Sequence, residues 1–134
     1  MTASEHEAYE RRKRMAAAAE RYLRHLGYTI LSASGYRCGA GRFDLVARDA
    51  HGTHVLVKLS VVTGTERKVH AWRLRLPPME AVGPAARCYV RDHPSAPVRV
   101  DLIRAMVPDA ERDAYPSARL YHEMGIWCGP AHGG

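Results

Sequence analysis

The chain has 134 residues, 46% of them hydrophobic and 25% charged, with a formal net charge of +6. This length fits one domain that can bury a core without covalent staples, and the composition excludes a disordered chain. No apolar run approaches the roughly 18 residues of a membrane span and no apolar signal core opens the chain, so the reading is a cytoplasmic protein with no membrane partner.

Ser4 to Leu26 reads as one helix. Ser4 is placed to cap it, and Glu5 and Glu7 sit in the first turn, where the helix dipole favours anions. Ala16 to Ala19 supply helix propensity, and Met15, Ala19, Tyr22, Leu23 and Leu26 make an apolar stripe that Gly27 ends. Arg11, Arg12, Lys13 and Arg14 precede the stripe, as either a solvated face or a phosphate-contacting patch. Tyr28 to Ala33 is the first predicted strand, and the glycine-rich stretch from Gly35 to Gly41 reads as a turn or irregular connection.

Phe43, Leu45 and Ala47 then alternate with Asp44, Val46 and Arg48, which predicts a second strand. Asp49 to Thr53 is a hairpin-type turn with Gly52 available for positive φ, and His54 to Val62 is a β-branched third strand. Thr63 to Lys68 reads as a polar loop. His70, Trp72, Leu74 and Leu76 alternate as an amphipathic strand that Pro77 and Pro78 stop. Pro84 to Arg91 reads as a helix with Pro84 in its first turn, and Val98 to Ile103 as a strand added to the same sheet. Ala118 to Met124 is expected to form a short helix. Without repeat or linker, residues 1–134 form one domain, with 1–10 and 129–134 expected to fray.

Cys38, Cys88 and Cys128 are odd in number, widely spaced and free of any CxxC pair. That pattern argues against a disulfide framework and against structural zinc, and no metal or cofactor is expected. The excess positive charge favours a polyanion, because neutralised phosphates release counterions.

The hairpin from Phe43 to Ser60 carries the chemistry. Asp44 and Lys58 fall on opposing strands within cross-strand reach, and a carboxylate in a half-buried strand can serve Mg²⁺ when further acids stand beside it. Arg21-Tyr22-Leu23, Gly27-Tyr28-x-Ile30-Leu31, Arg37-Cys38 and Gly41-x-x-Asp44-Leu45-Val46-Ala47-Arg48-Asp49, with Val100-Asp101-Leu102-Ile103 later, resemble the YraN family. That family belongs to the restriction-endonuclease-like superfamily with the PD-(D/E)xK nuclease core. The resemblance spans about Ala16 to Ile103. It implies an α/β fold with a restriction-endonuclease-like core, an N-terminal helix and then a mixed β-sheet flanked by helices.

The family pattern in this hairpin is Gly-Glu-(Ile/Leu)-Asp-Leu-Ile, a turn, then Val-(Glu)-Val-(Lys), with a further glutamate early in the first helix. Placed on this chain, the aspartate falls on Asp44 and is kept. The other acids fall on Arg42, Lys58 and Ala16, and the motif lysine falls on Ser60. One carboxylate beside a lysine is expected to pair with it rather than hold a metal, so Asp44 and Lys58 are expected to form an ion pair.

The resulting expectation is a catalytically inactive nuclease-like domain that binds nucleic acid, DNA rather than RNA, through a basic surface; a DNA-binding protein of this kind would be nucleoid-associated. Its candidate contacts are Arg37, Arg42, Lys58, Arg67, Lys68, Arg73 and Arg75, with Arg11 to Arg14 as an outlying patch and Trp72 and Tyr36 as stacking candidates. Two alternatives stand beside it. One is a protein-interaction module, a homodimer included, marked by an exposed apolar patch around Ile126 and Trp127. The other is a metal-dependent nuclease whose acids are relocated to Glu20, Asp49 or Glu66, with Lys68.

Overall fold

The computed structural model describes residues 2–64, 79–108 and 119–130. Helix α1 (Ala3–His25) precedes β1 (Thr29–Ser32), β2 (Tyr36–Cys38), β3 (Gly41–Phe43), β4 (Leu45–Arg48) and β5 (His54–Gly64). Helix α2 (Met79–Asp92), β6 (Val98–Pro108) and β7 (Arg119–Cys128) follow. Five strands form one mixed sheet in the order β1-β4-β5-β6-β7, while β2 and β3 form a separate hairpin. All neighbours in the main sheet are antiparallel except β5 and β6, which run parallel. Parallel neighbours need a long crossover, and the connection here includes α2.

Among the described residues, each face of the sheet is covered by one helix. Met15, Ala19 and Leu23 of α1 are spaced four apart and pack on Leu45, Ala47, Val55, Val57, Leu59, Ile103 and Ala105. Val82, Ala85, Ala86 and Tyr89 of α2 pack on the opposite face, against Val46, Leu56, Val98 and Val100. Because both faces are covered, β4 and the middle of β5 are buried continuously rather than alternately. Burying a side chain such as Met15 or Leu23 stabilises the fold by about 2 kcal/mol.

Several elements differ from the sequence expectation. The cap of α1 is Thr2, not Ser4: the Thr2 hydroxyl accepts the Glu5 amide at 3.1 Å while the Glu5 carboxylate accepts the Thr2 amide at 3.3 Å. This reciprocal capping box satisfies two free donors at once. Residues 3–10 belong to the helix. Gly27, at φ 91°, ends it as expected. Helix α2 begins five residues before Pro84, so the proline lies inside it rather than in its first turn. Residues 119–124 are not helical: they open β7, which pairs with β6 through Met106↔Arg119 and Ala105↔Leu120. The expected strand at residues 70–76 and most of the expected loop at 63–68 lie outside the described residues.

The stretch from Gly35 to Gly41 is more ordered than an irregular connection. Tyr36–Cys38 pairs with Gly41–Phe43, the register partners being Tyr36↔Phe43, Arg37↔Arg42 and Cys38↔Gly41. The expected strand from Phe43 to Arg48 is accordingly two strands that break at Asp44. In a continuous strand Phe43 and Leu45 would share a face. Here Phe43 packs under α2 and Leu45 under α1, so the break inverts the chain.

Close approach explains two of the glycines. Gly35 has φ 85°, and a Cβ there would collide with the Phe43 carbonyl; a Cβ on Gly41 would collide with Ala85. Gly35→Ala is expected to cost about 1–3 kcal/mol through positive φ alone, a loss that urea denaturation would read directly.

The hairpin is also tied covalently. Cys38 and Cys88 form a disulfide that joins β2 to α2 with a Cα–Cα separation of 6.5 Å, and Cys128 remains free and exposed. This corrects the expectation drawn against disulfides: the odd count leaves one cysteine over, and the fold brings the other two together across 50 positions.

Candidate functional site

Asp44 sits at the break between β3 and β4, where β4 parts from β5. Its backbone amide still donates to the Val57 carbonyl at 2.8 Å, but the next rung of the ladder is made by its side chain. Oδ2 accepts the buried Leu59 amide at 2.8 Å, while the Arg12 guanidinium donates to the Leu59 carbonyl at 2.8 Å and to Asp44 Oδ1 at 2.8 Å. The two side chains therefore satisfy both backbone groups of Leu59 where the neighbouring strand has gone. Arg42 reaches the same Oδ1 at 3.5 Å.

The expected ion pair between Asp44 and Lys58 is not formed. Lys58 instead donates from Nζ to the Arg42 carbonyl at 2.8 Å. The strand break turns the carboxylate toward Leu59 and α1, so Arg12 takes the place that cross-strand register would have given Lys58. Partial burial lowers the Lys58 pKa; Asp44 opposes the shift, and the Arg12 and Arg42 guanidiniums add to it. Three cations thus crowd one carboxylate that already has a partner. Arg37 stands opposite Arg42 in the β2–β3 hairpin, and both line a cleft of about 360 Å³ with Ser34, Gly35, Tyr36 and Phe43. Like charges directly opposed across a strand pair are unfavourable unless an anion lies between them.

The other expected residues fall as follows. From the basic run on α1, Arg12 enters the site, Arg11 is half-buried, and Lys13 and Arg14 are exposed. Ala16 packs against the α1-side core. Ser60 is half-buried on β5. Glu20 pairs with Arg24 one turn on at 3.0 Å, and Asp49 pairs with Arg99 at 2.7 Å, so neither supplies the Asp44 site with a second acid. Tyr36 packs edge-on against Tyr89 and donates to Asp92 at 3.1 Å, an arrangement that commits its ring to the fold. Ile126 and Trp127 are likewise half-buried against the α2-side core rather than forming an exposed apolar patch. Glu66, Arg67, Lys68, Trp72, Arg73 and Arg75 lie outside the described residues. Among the described residues no group of three or more histidine, cysteine or acidic side chains could hold a metal ion.

A second charged cluster lies in the sheet under α1. Asp101, fully buried on β6, accepts from Arg99 Nε at 2.9 Å, from His122 Nε2 at 2.7 Å and from the Gly125 amide at 2.9 Å. Arg99 also donates to Asp49 at 2.7 Å and to the Tyr28 hydroxyl at 2.8 Å, and Tyr22 lies 2.9 Å from His122 Nδ1. Burial pushes the Asp101 carboxyl up, but the hydrogen bonds from His122, Arg99 and the Gly125 amide outweigh it and hold the pKa below the usual carboxylate value. The only sequence signal was an aspartate within an apolar strand.

The class defined by these features, over the described residues, is a mixed α/β domain with one helix on each sheet face and an electropositive notch around a single engaged carboxylate. Among the described residues no helix is long and apolar enough to cross a membrane. No family model matches the chain, and no curated protein matches it.

Proposed function

We propose that this chain is a nuclease-like domain that binds nucleic acid, DNA in preference to RNA, without cleaving it. The carrying observation is the gathering of Arg12, Arg42 and Lys58 around Asp44, a carboxylate already committed to Arg12 and the Leu59 amide. Mg²⁺ sites use carboxylates with free lone pairs, usually more than one, and three adjacent cations oppose a divalent ion. The same cations favour a phosphate, which a basic notch can position without reading sequence. The restriction-endonuclease-like core belongs to this proposal. It is supported by a helix, an antiparallel β1-β4-β5 unit and a helical crossover to parallel β6.

The test is a salt titration of binding to labelled duplex, single-stranded DNA and RNA probes. Affinity should fall linearly with salt on logarithmic axes. Arg42→Ala should reduce that slope by about 1, the mark of one lost phosphate contact. No binding at low ionic strength would sink the proposal. Incubation with plasmid and branched DNA in Mg²⁺ or Mn²⁺ should leave both intact, and cleavage abolished by Asp44→Ala would overturn the claim of inactivity.

A further inference from the structure

A second cleft, of about 470 Å³, lies toward the start of β5, between the β4–β5 turn and the segment after α2. Arg48, His54 and His93 come to it from three different places in the chain, with Gly52, Ser95 and the flanking prolines completing its lining. Arg48 ends β4 and His54 begins β5 as its direct register partner. His93 follows α2, and its ring centroid lies 5.7 Å from that of His54.

Both imidazoles are fixed through one nitrogen only. His54 Nδ1 lies 2.6 Å from the Tyr89 hydroxyl, and His93 Nδ1 donates to the Tyr89 carbonyl at 3.0 Å, with the His93 ring stacked on Tyr89. Nε2 of each ring bonds to no described residue. Arg48 is exposed and has no carboxylate partner among the described residues. Among the described residues no acid lines the cleft. Of the nearest acids in sequence, Asp49 is taken by Arg99 and the His51 and Thr53 amides, and Asp92 by Tyr36. Burial lowers the His54 pKa, and the neighbouring His93 and Arg48 lower it further. Three basic groups thus converge, with no acid among the described residues to balance them.

We propose that this cleft binds a phosphate dianion, held by the Arg48 guanidinium and by Nε2–H of His54 and His93. Arginine presents a planar fork that matches phosphate oxygens, and protonated imidazole adds charge-assisted donors. The bound anion favours the protonated form of His54, whose pKa burial, His93 and Arg48 otherwise lower, so affinity rises as the solution is acidified. It declines once the dianion takes up a proton, near about pH 6 for a monoester and at higher pH for inorganic phosphate. The phosphate can be free inorganic phosphate or the monoester of a larger molecule, whose organic part would lie against Pro94 and Pro97.

Histidine ring resonances, followed by NMR during titration with inorganic phosphate and then with a nucleoside 5′-monophosphate, test this. Saturable shifts at His54 and His93, with His6 and His25 of α1 unmoved, are expected. Arg48→Ala should weaken binding about tenfold or more by removing a charge-assisted contact, and His54→Gln should flatten the pH dependence. Equal affinity for both ligands identifies a site for the free anion, and tighter binding of the nucleotide identifies a monoester site. Shifts spread evenly over all the histidines without saturation, or an unchanged affinity in Arg48→Ala, would overturn the proposal. The reading does not depend on the Asp44 notch, because Arg42→Ala should leave phosphate binding here intact.

Discussion

Replacing Asp101 by alanine should destabilise the protein by about 3–5 kcal/mol, the range for removing one partner of a buried ion pair. Against a total of about 5–15 kcal/mol for a domain, that is enough to unfold a large share of molecules under mild stress. The carboxylate is fully buried and accepts from a guanidinium, an imidazole and a backbone amide, so its loss leaves several buried donors without an acceptor. Arg99 would keep Asp49, which places the expected value toward the lower end. Asp44→Ala should cost less. Its main partner Arg12 has a side chain 40% exposed and can rehydrate, whereas Arg99 is 15% exposed.

The acid limb separates the Asp101 network from ordinary packing. The folded-state pKa of Asp101 is depressed, so its contribution is fully present above the unfolded value of about 3.9 and is lost as pH falls through the folded one. The gap between wild type and Asp101→Asn should therefore be constant at neutral pH and shrink in acid. Urea midpoints measured from neutral pH to below about pH 3 would show it. A gap that widened in acid would contradict the assignment of the ionised form.

Much of the framework was legible because it depends on local signals. The α1 stripe from Met15 to Leu23, the Gly27 stop, the turn at Asp49 to Thr53 and strands β5 and β6 follow from periodicity and turn chemistry, whereas Leu26, expected in the stripe, is exposed beyond the helix. The misreadings have physical causes. Thr2/Glu5 and Ser4/Glu7 share the same capping-box spacing, and the helix starts at the earlier of the two, so spacing alone did not separate Thr2 from Ser4. The β2–β3 hairpin has three-residue strands whose glycines allow close contact with Ala85 and Phe43, and such glycines also resemble a loop. β7 is half-buried along most of its length, so it lacks the clean alternation of a strand with one covered face. At the candidate site Asp44 was legible, but its partner was not. Arg12 was one of four adjacent basic residues, and only the strand break at Asp44 selects it. The Arg99–Asp101–His122 network joins residues from β6 and β7, a pairing that the helix expected over 118–124 had concealed.

The disulfide supplies the other large expected effect. Cys38 and Cys88 close a loop of 50 positions, for which the chain-entropy account gives about 4 kcal/mol. A Cys38→Ser/Cys88→Ser double variant should therefore unfold at a clearly lower urea concentration than wild type, and wild type held in a dithiol reductant should approach it. Thiol labelling under native conditions should find Cys128 alone before reduction and all three cysteines after unfolding in reductant. The hairpin lies outside the main sheet, anchored by Gly41 on Ala85, Tyr36 on Asp92 and this bond. Faster amide exchange on reduction should therefore appear first at residues 36–43, before the strands of the five-stranded sheet. Arg37 and Arg42 ride on that hairpin. In an oxidising compartment they are held covalently against α2, whereas under strong thiol reduction only packing and hydrogen bonds position them. Nucleic-acid affinity should then fall on reduction even at temperatures where the protein stays folded. An affinity unchanged by reduction, with exchange at 36–43 accelerated, would show that Arg37 and Arg42 are not among the contacts.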